Sequence, residues 1–305
     1  MTRSVTSAPD VLPSRSLRAR KLLATAAILA AVGAALVVPL WRASPRLYGA
    51  EEAEIAPHDY APSEPIACAA ASRAGPAGAS RREATPRGLG YMVKTPANYD
   101  PTRAHPLLVV YAPHGANRFL SERYVGLTRA ATAEGFIIVY ADSRPLDRAT
   151  IEDLGGIAEH VAARWCVDRG RIYFTGHSDG GTAATAITVL GTSPAAPAAI
   201  APSAAGFRRE DLTALACPPP VSVMVLHSRD DELFSSFGRA AAEWWAACNG
   251  CGAKPVPRAD GCLVFPDCRP RGATLYCEGE GRHADWPDRN RALLEFFGSA
   301  SLARK

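Results

Sequence analysis

The stretch Arg171-Ile172-Tyr173-Phe174-Thr175-Gly176-His177-Ser178-Asp179-Gly180-Gly181 decides the fold of this 305-residue chain. Residues 171–175 are rich in β-branched and aromatic side chains and read as a strand. A Gly-x-Ser-x-Gly turn follows, ahead of an Ala/Thr-rich helix pattern over 180–190. Such a turn puts its serine on a sharp strand-to-helix corner. Glycines are needed there because side chains would collide with neighbouring backbone, and the helix N-terminus aims N–H groups at a reacting carbonyl. The bare motif is common by chance, and an ordinary glycine-rich turn is the competing reading. Its seat between a strand and a helix gives it weight.

Outward from that corner, short apolar runs alternate with helical patterns. Further strands are expected at 89–94, 107–111, 136–140, 198–203, 221–227 and 274–278, and helices at 123–134, 151–165, 180–190, 236–248 and 287–297. The last helix is expected to open on Pro287, whose missing N–H costs nothing in a first turn. Strands such as Phe136-Ile137-Ile138-Val139-Tyr140 are apolar on both faces, as a parallel sheet covered by helices on both sides requires. The pattern is an α/β sandwich with a mostly parallel central sheet.

Chemistry-bearing residues recur at the strand ends. The 221–227 strand runs into Ser228-Arg229-Asp230-Asp231, and Gly281-Arg282-His283-Ala284-Asp285-Trp286-Pro287 follows the last strand. Ser178, Asp231 and His283 then stand in the chain order Ser…Asp…His of the α/β-hydrolases, at intervals of 53 and 52 residues. A buried carboxylate is what a Ser-His pair needs to fix the imidazole tautomer and stabilise the imidazolium. Asp230 is the rival for that acid. His114-Gly115-Ala116-Asn117 follows the 107–111 strand, where an oxyanion loop belongs. The amide of Ala116 is expected to join that of Asp179, the residue after the nucleophile. His114 and His177 read as organisers of their own turns, His227 as structural, and His58, His105 and His160 have no partner pattern. No metal or cofactor is implied.

With these pieces placed, the chain resembles the α/β-hydrolase esterases grouped as polyhydroxybutyrate depolymerases and feruloyl esterases, from about residue 87 to 297. The likeness is carried by Tyr91-Met92-Val93-Lys94-Thr95-Pro96-Ala97-Asn98-Tyr99-Asp100 and by Pro106-Leu107-Leu108-Val109-Val110 leading to His114-Gly115. Also alike are Glu152-Asp153 at a helix start, Cys166-Val167-Asp168-Arg169 before the serine strand, and His283 followed by Trp286-Pro287. The resemblance implies a metal-independent, extracytoplasmic carboxylic ester hydrolase with acyl-serine chemistry. It aligns Asp231 with the family's acid and gives Trp286 a substrate-facing role. The chain departs from the pattern in three places: two residues separate His283 from Trp286, Arg282 replaces a small residue, and Ala116 stands where Cys is frequent. A peptidase or amidase on the same fold, or a catalytically silent surface-binding protein, are the alternatives.

The N-terminus carries a different message. All of the formal net charge of +4 resides in residues 1–21, so the remainder offers no basic field for nucleic acid. Residues 22–41 hold no ionisable side chain, about 30 Å of helix at the ordinary rise, and read as a membrane anchor or signal sequence. The basic flank predicts export of everything after Trp41. Residues 42–84, rich in Ala, Pro, Ser, Gly and Glu, read as a spacer before a catalytic domain at 85–305. Eight cysteines favour disulfides in an oxidising compartment over a metal site, although Cys248-Asn249-Gly250-Cys251 is a CxxC. Five lie between 248 and 277 and three elsewhere. Full internal pairing therefore demands a bridge between the two groups, with the connectivity left open.

Overall fold

The computed structural model describes residues 53–62, 64, 68 and 75–300. The basic segment 1–21 and the apolar run 22–41 lie outside the described residues. Among the described residues no helix is long and apolar enough to cross a membrane.

Ten strands form one mixed sheet: β1 (Ala79–Ala84), β2 (Gly90–Lys94), β3 (His105–Tyr111), β4 (Ile137–Ala141), β5 (Val167–His177), β6 (Ala199–Ser203), β7 (Ser222–Asp230), β8 (Val256–Pro257), β9 (Leu263–Phe265) and β10 (Thr274–Arg282). Their order across the sheet is β1-β2-β4-β3-β5-β6-β7-β10-β9-β8. The six strands from β4 to β10 run parallel to their neighbours. Antiparallel pairs flank them, β1 and β2 on one side and β9 and β8 on the other. Among the described residues seven helices accompany the strands: α1 (Arg118–Val125), α2 (Thr128–Ala133), α3 (Arg148–Arg164), α4 (Asp179–Leu190), α5 (Arg209–Thr213), α6 (Phe237–Cys248) and α7 (Asn290–Ser299).

Successive side chains of a strand face opposite sides, so a strand covered on both faces feeds two cores. Leu107, Val109 and Tyr111 of β3 pack into one, with Ile157 and Val161 of α3, Ile187 of α4 and Trp245 of α6. Leu108 and Val110 pack into the other, with Ala131 of α2 and Leu293 and Phe297 of α7. β4 divides the same way, Ile137 and Val139 to the first core and Ile138 and Tyr140 to the second. Under α1, Lys94 and Glu122 form a buried ion pair at 2.6 Å, and Thr128 Oγ1 donates to the same carboxylate.

Three expectations change. The helix expected at 123–134 is two helices, because Gly126 adopts φ 63° and caps α1 before α2 restarts at Thr128. α7 begins at Asn290, and Pro287 stays in the turn before it. Within the stretch read as spacer, Ala79–Ala84 is strand β1, paired antiparallel to β2. Its side chains are mostly exposed, so backbone pairing holds it and no alternation marks it in sequence.

Four disulfides are present: Cys68–Cys166, Cys217–Cys248, Cys251–Cys268 and Cys262–Cys277. Cys217–Cys248 is the bridge that the odd division required. Cys248 and Cys251 of the CxxC belong to two different bridges.

Candidate active site

In a parallel sheet the strands' C-terminal ends share one edge, and crossovers start there. β3 ends at Tyr111, β5 at His177, β7 at Asp230 and β10 at Arg282. The residues that follow them are those singled out from sequence. Register brings two of them together directly: Arg282 of β10 pairs with Asp230 of β7, so Asp231 and His283 leave the sheet side by side.

Ser178 sits between β5 and α4 with φ 55° and ψ −116°, a conformation rarely tolerated by a side-chain-bearing residue outside functional turns. Its neighbours make room. A Cβ on Gly176 would stand 2.5 Å from the Tyr111 carbonyl oxygen, and one on Gly180 would overlap that same oxygen. His283 Nε2 lies 3.0 Å from Ser178 Oγ, and its Nδ1 lies 2.8 Å from Asp231 Oδ2. With Asp231 ionised, Nδ1 carries the proton and donates, which leaves Nε2 to accept from the serine hydroxyl. All three side chains are buried. Asp230 is exposed at the end of β7, so the carboxylate within reach of the imidazole is that of Asp231.

Burial alone would raise the Asp231 carboxyl. The hydrogen bond and charge of His283 and the Phe234 amide outweigh it and hold the group below the usual carboxylate range. The Leu233 and Phe234 amides donate to Oδ1 at 3.0 and 2.7 Å. His227 approaches the other oxygen, its Nε2 3.8 Å from Oδ2, and burial keeps its ring below the ordinary histidine value.

The imidazole is anchored through its own backbone. The His283 N–H donates to Glu232 Oε2 at 3.1 Å, while Glu232 Oε1 receives Arg282 at 3.3 Å. The His283 carbonyl receives His177 Nε2 at 2.7 Å. Desolvation and the nearby His283 push His177 down to about 3, so its ring is neutral. A neutral ring that donates from Nε2 must accept at Nδ1, where the Ser203 hydroxyl lies at 3.0 Å. The Phe234 ring stands edge-on to His283 at 4.7 Å between centroids and stacks on Phe237.

On the other side of Ser178, Asp179 opens α4, and a first-turn N–H has no carbonyl one turn earlier to receive it. The Ala116 amide donates to the Pro113 carbonyl at 3.1 Å, closing a turn in which Gly115 has φ 72°. His114 Nδ1 lies 3.1 Å from Asp179 Oδ2. Trp286 is half-buried: its indole N–H donates to Asn290 at 2.7 Å and its ring packs against Tyr124 and His177.

Sequence reasoning did not find Glu232, Ser203 or Phe234. Glu232 was visible as a carboxylate beside the acid, but its use as an acceptor for the His283 amide needs two strand ends brought together.

The architecture, a mostly parallel sheet carrying a strained Ser corner with Asp and His at later strand ends, is the α/β-hydrolase fold. Among solved structures the chain is similar to an acetyl xylan esterase from Aspergillus awamori, at 15% identity over 72% of this chain and 99% of that one, with a TM-score of 0.55. A truncated carbohydrate esterase from gut microbiota matches at 11% identity over 75% of this chain and 97% of its own, with a TM-score of 0.52. The S-formylglutathione hydrolase of Staphylococcus aureus matches at 12% over 72% and 97%, with a TM-score of 0.51. No family model and no curated protein matches the chain.

Proposed function

We propose that the chain is an extracytoplasmic serine hydrolase of carboxylic esters. One observation carries this reading: the unbroken hydrogen-bond relay from Ser178 through His283 to Asp231. Ser178 Oγ attacks the ester carbonyl carbon as its proton passes to His283 Nε2, and Asp231 stabilises the imidazolium. The carbonyl oxygen takes up the negative charge. The Asp179 amide is its first donor. The Ala116 amide is proposed as the second, which requires its N–H to exchange the neutral Pro113 carbonyl for the stronger, charged acceptor.

His283 then returns the proton to the departing alcohol, leaving an acyl-serine. Water, deprotonated by the same imidazole, attacks that ester, and the acid leaves as Ser178 regains its proton. Trp286 offers the substrate its half-buried indole. Hydroxyalkanoate, feruloyl or similar esters are the substrate class, possession of an alcohol leaving group being the common chemistry.

Four disulfides support an exported protein, since such bridges persist in oxidising compartments. Residues 22–41 are the proposed tether to the membrane, with the N-terminus inside. The test is labelling with a fluorophosphonate, followed by a panel of p-nitrophenyl esters against p-nitroanilides. Modification at Ser178 with ester turnover well above anilide turnover is expected. Absence of labelling sinks the serine mechanism, and faster anilide cleavage makes the chain an amidase.

A further inference from the structure

His114 and Asp179 form a pair for which the relay has no use, and they join the two segments that flank the oxyanion. We infer that His114 is a positioning residue that holds the Asp179 carboxylate away from the oxyanion as it forms. The inference rests on the esterase reading above.

The physical problem is set by where the carboxylate lies. Asp179 is the residue after Ser178, and its backbone amide is the first proposed donor to the developing negative charge. Its side chain is acidic. A carboxylate in the first turn of a helix is attracted to the free N–H groups there, which are the groups the oxyanion needs. Left unrestrained, it competes for those donors and repels the charge they are meant to stabilise. Mostly buried, it has little water to screen it. Desolvation pushes the Asp179 carboxyl up, opposed by the charge and hydrogen bond of His114 and by the charge of His283.

His114 resolves the conflict by geometry. It lies in the turn closed by Ala116 and Pro113, on the loop after β3 and apart from α4 in the chain. Its Nδ1–H takes Asp179 Oδ2 at 3.1 Å, which turns the carboxylate toward the loop. The same contact ties the loop bearing the Ala116 amide to the corner bearing the Asp179 amide. Two roles are therefore superposed, a tether and a restraint on charge, and they predict opposite outcomes for a double substitution.

The experiment is steady-state hydrolysis of a p-nitrophenyl ester by the full-length protein and three variants, with thermal unfolding of each. His114→Ala is expected to lower kcat about 10- to 100-fold with little change in KM, since the freed charge acts on the transition state. His114→Gln, which keeps an N–H donor, is expected to retain most of the activity. His114→Ala combined with Asp179→Asn is expected to recover most of the lost kcat, because the offending charge is gone. A double variant as slow as His114→Ala, or slower, overturns the inference in favour of a mere tether. Wild-type kcat in His114→Ala overturns it as well. Should His114→Ala fail to fold, His114→Ser carries the same comparison. Wild-type protein that neither turns over ester nor labels at Ser178 fails the parent reading and takes this inference with it. An active, labelled wild type without recovery in the double variant fails this inference alone.

Discussion

The middle of the sheet and its C-terminal flank are built on different physics. From β4 to β7 the strands are apolar on both sides and sit between two helix layers, so burial of side chains defines them. From β8 to β10 the chain turns antiparallel, β8 is exposed, and Cys251–Cys268 and Cys262–Cys277 fasten the segment. Ser178 comes from the first region and His283 from the second. The relay between Ser178 and His283 therefore joins a part held by packing to a part held by packing and cross-links together. Ser178 rests on core packing alone, whereas His283 leaves β10, which pairs with β7, buries Leu275 and Tyr276 in the two cores and is fastened in addition by Cys262–Cys277.

Breaking the packed side at its reacting atom has the largest expected effect. Ser178→Ala should lower kcat by roughly 10⁶-fold, the scale of a lost serine nucleophile, with the unfolding temperature unchanged or nearly so. Retention of most turnover would remove Ser178 from the mechanism. Asp231→Asn should cost about 10⁴-fold, because an amide leaves the imidazole in the wrong tautomer. Asp230→Asn, at an exposed position, should do far less, and the reverse ranking would move the acid by one residue.

Reduction tests the cross-linked side. Removing Cys262–Cys277 by Cys262→Ser with Cys277→Ser should lower stability by roughly 2–5 kcal/mol, with activity falling as His283 loses its fixed position. Thiol titration of the native protein should find no free cysteine before reductant is added. A fully active protein with all thiols free would refute the contrast drawn between the two regions.

The smallest effect is a pH dependence of stability. His177 has its folded value pushed down to about 3 from an ordinary 6.5, so the unfolded chain takes up the proton first. Stability from this group is complete above the ordinary value and is lost as pH falls from 6.5 toward about 3. The slope is at most roughly 1.4 kcal/mol per pH unit for one such histidine. His177→Gln should flatten the acid limb of unfolding temperature against pH by up to that amount. An unchanged slope would mean that the neutral ring is not what links His283 to the core.

Legibility in sequence followed much the same division. β3, β4, β5 and β6 were readable because doubly buried strands are continuous apolar runs, and the order Ser178, Asp231, His283 was readable because each follows a strand expected from sequence. β1 and β8 were not, since edge pairing through backbone leaves no side-chain period. The break at Gly126 was missed because a glycine inside an apolar pattern marks a cap only when the chain beyond it turns.

Residue types and their order along the chain determined the doubly covered sheet, the serine corner and the parity that forced one bridge out of the 248–277 group. Those are local or countable properties. Only tertiary structure decided that Asp231 and not Asp230 meets the imidazole, that Cys217 pairs with Cys248, that Glu232 and His177 grip the two backbone ends of His283, and that His114 reaches Asp179. The first depends on the register between β7 and β10, where a shift of one residue turns a side chain to the opposite face. The others depend on loops and helix ends that only the folded sheet brings together.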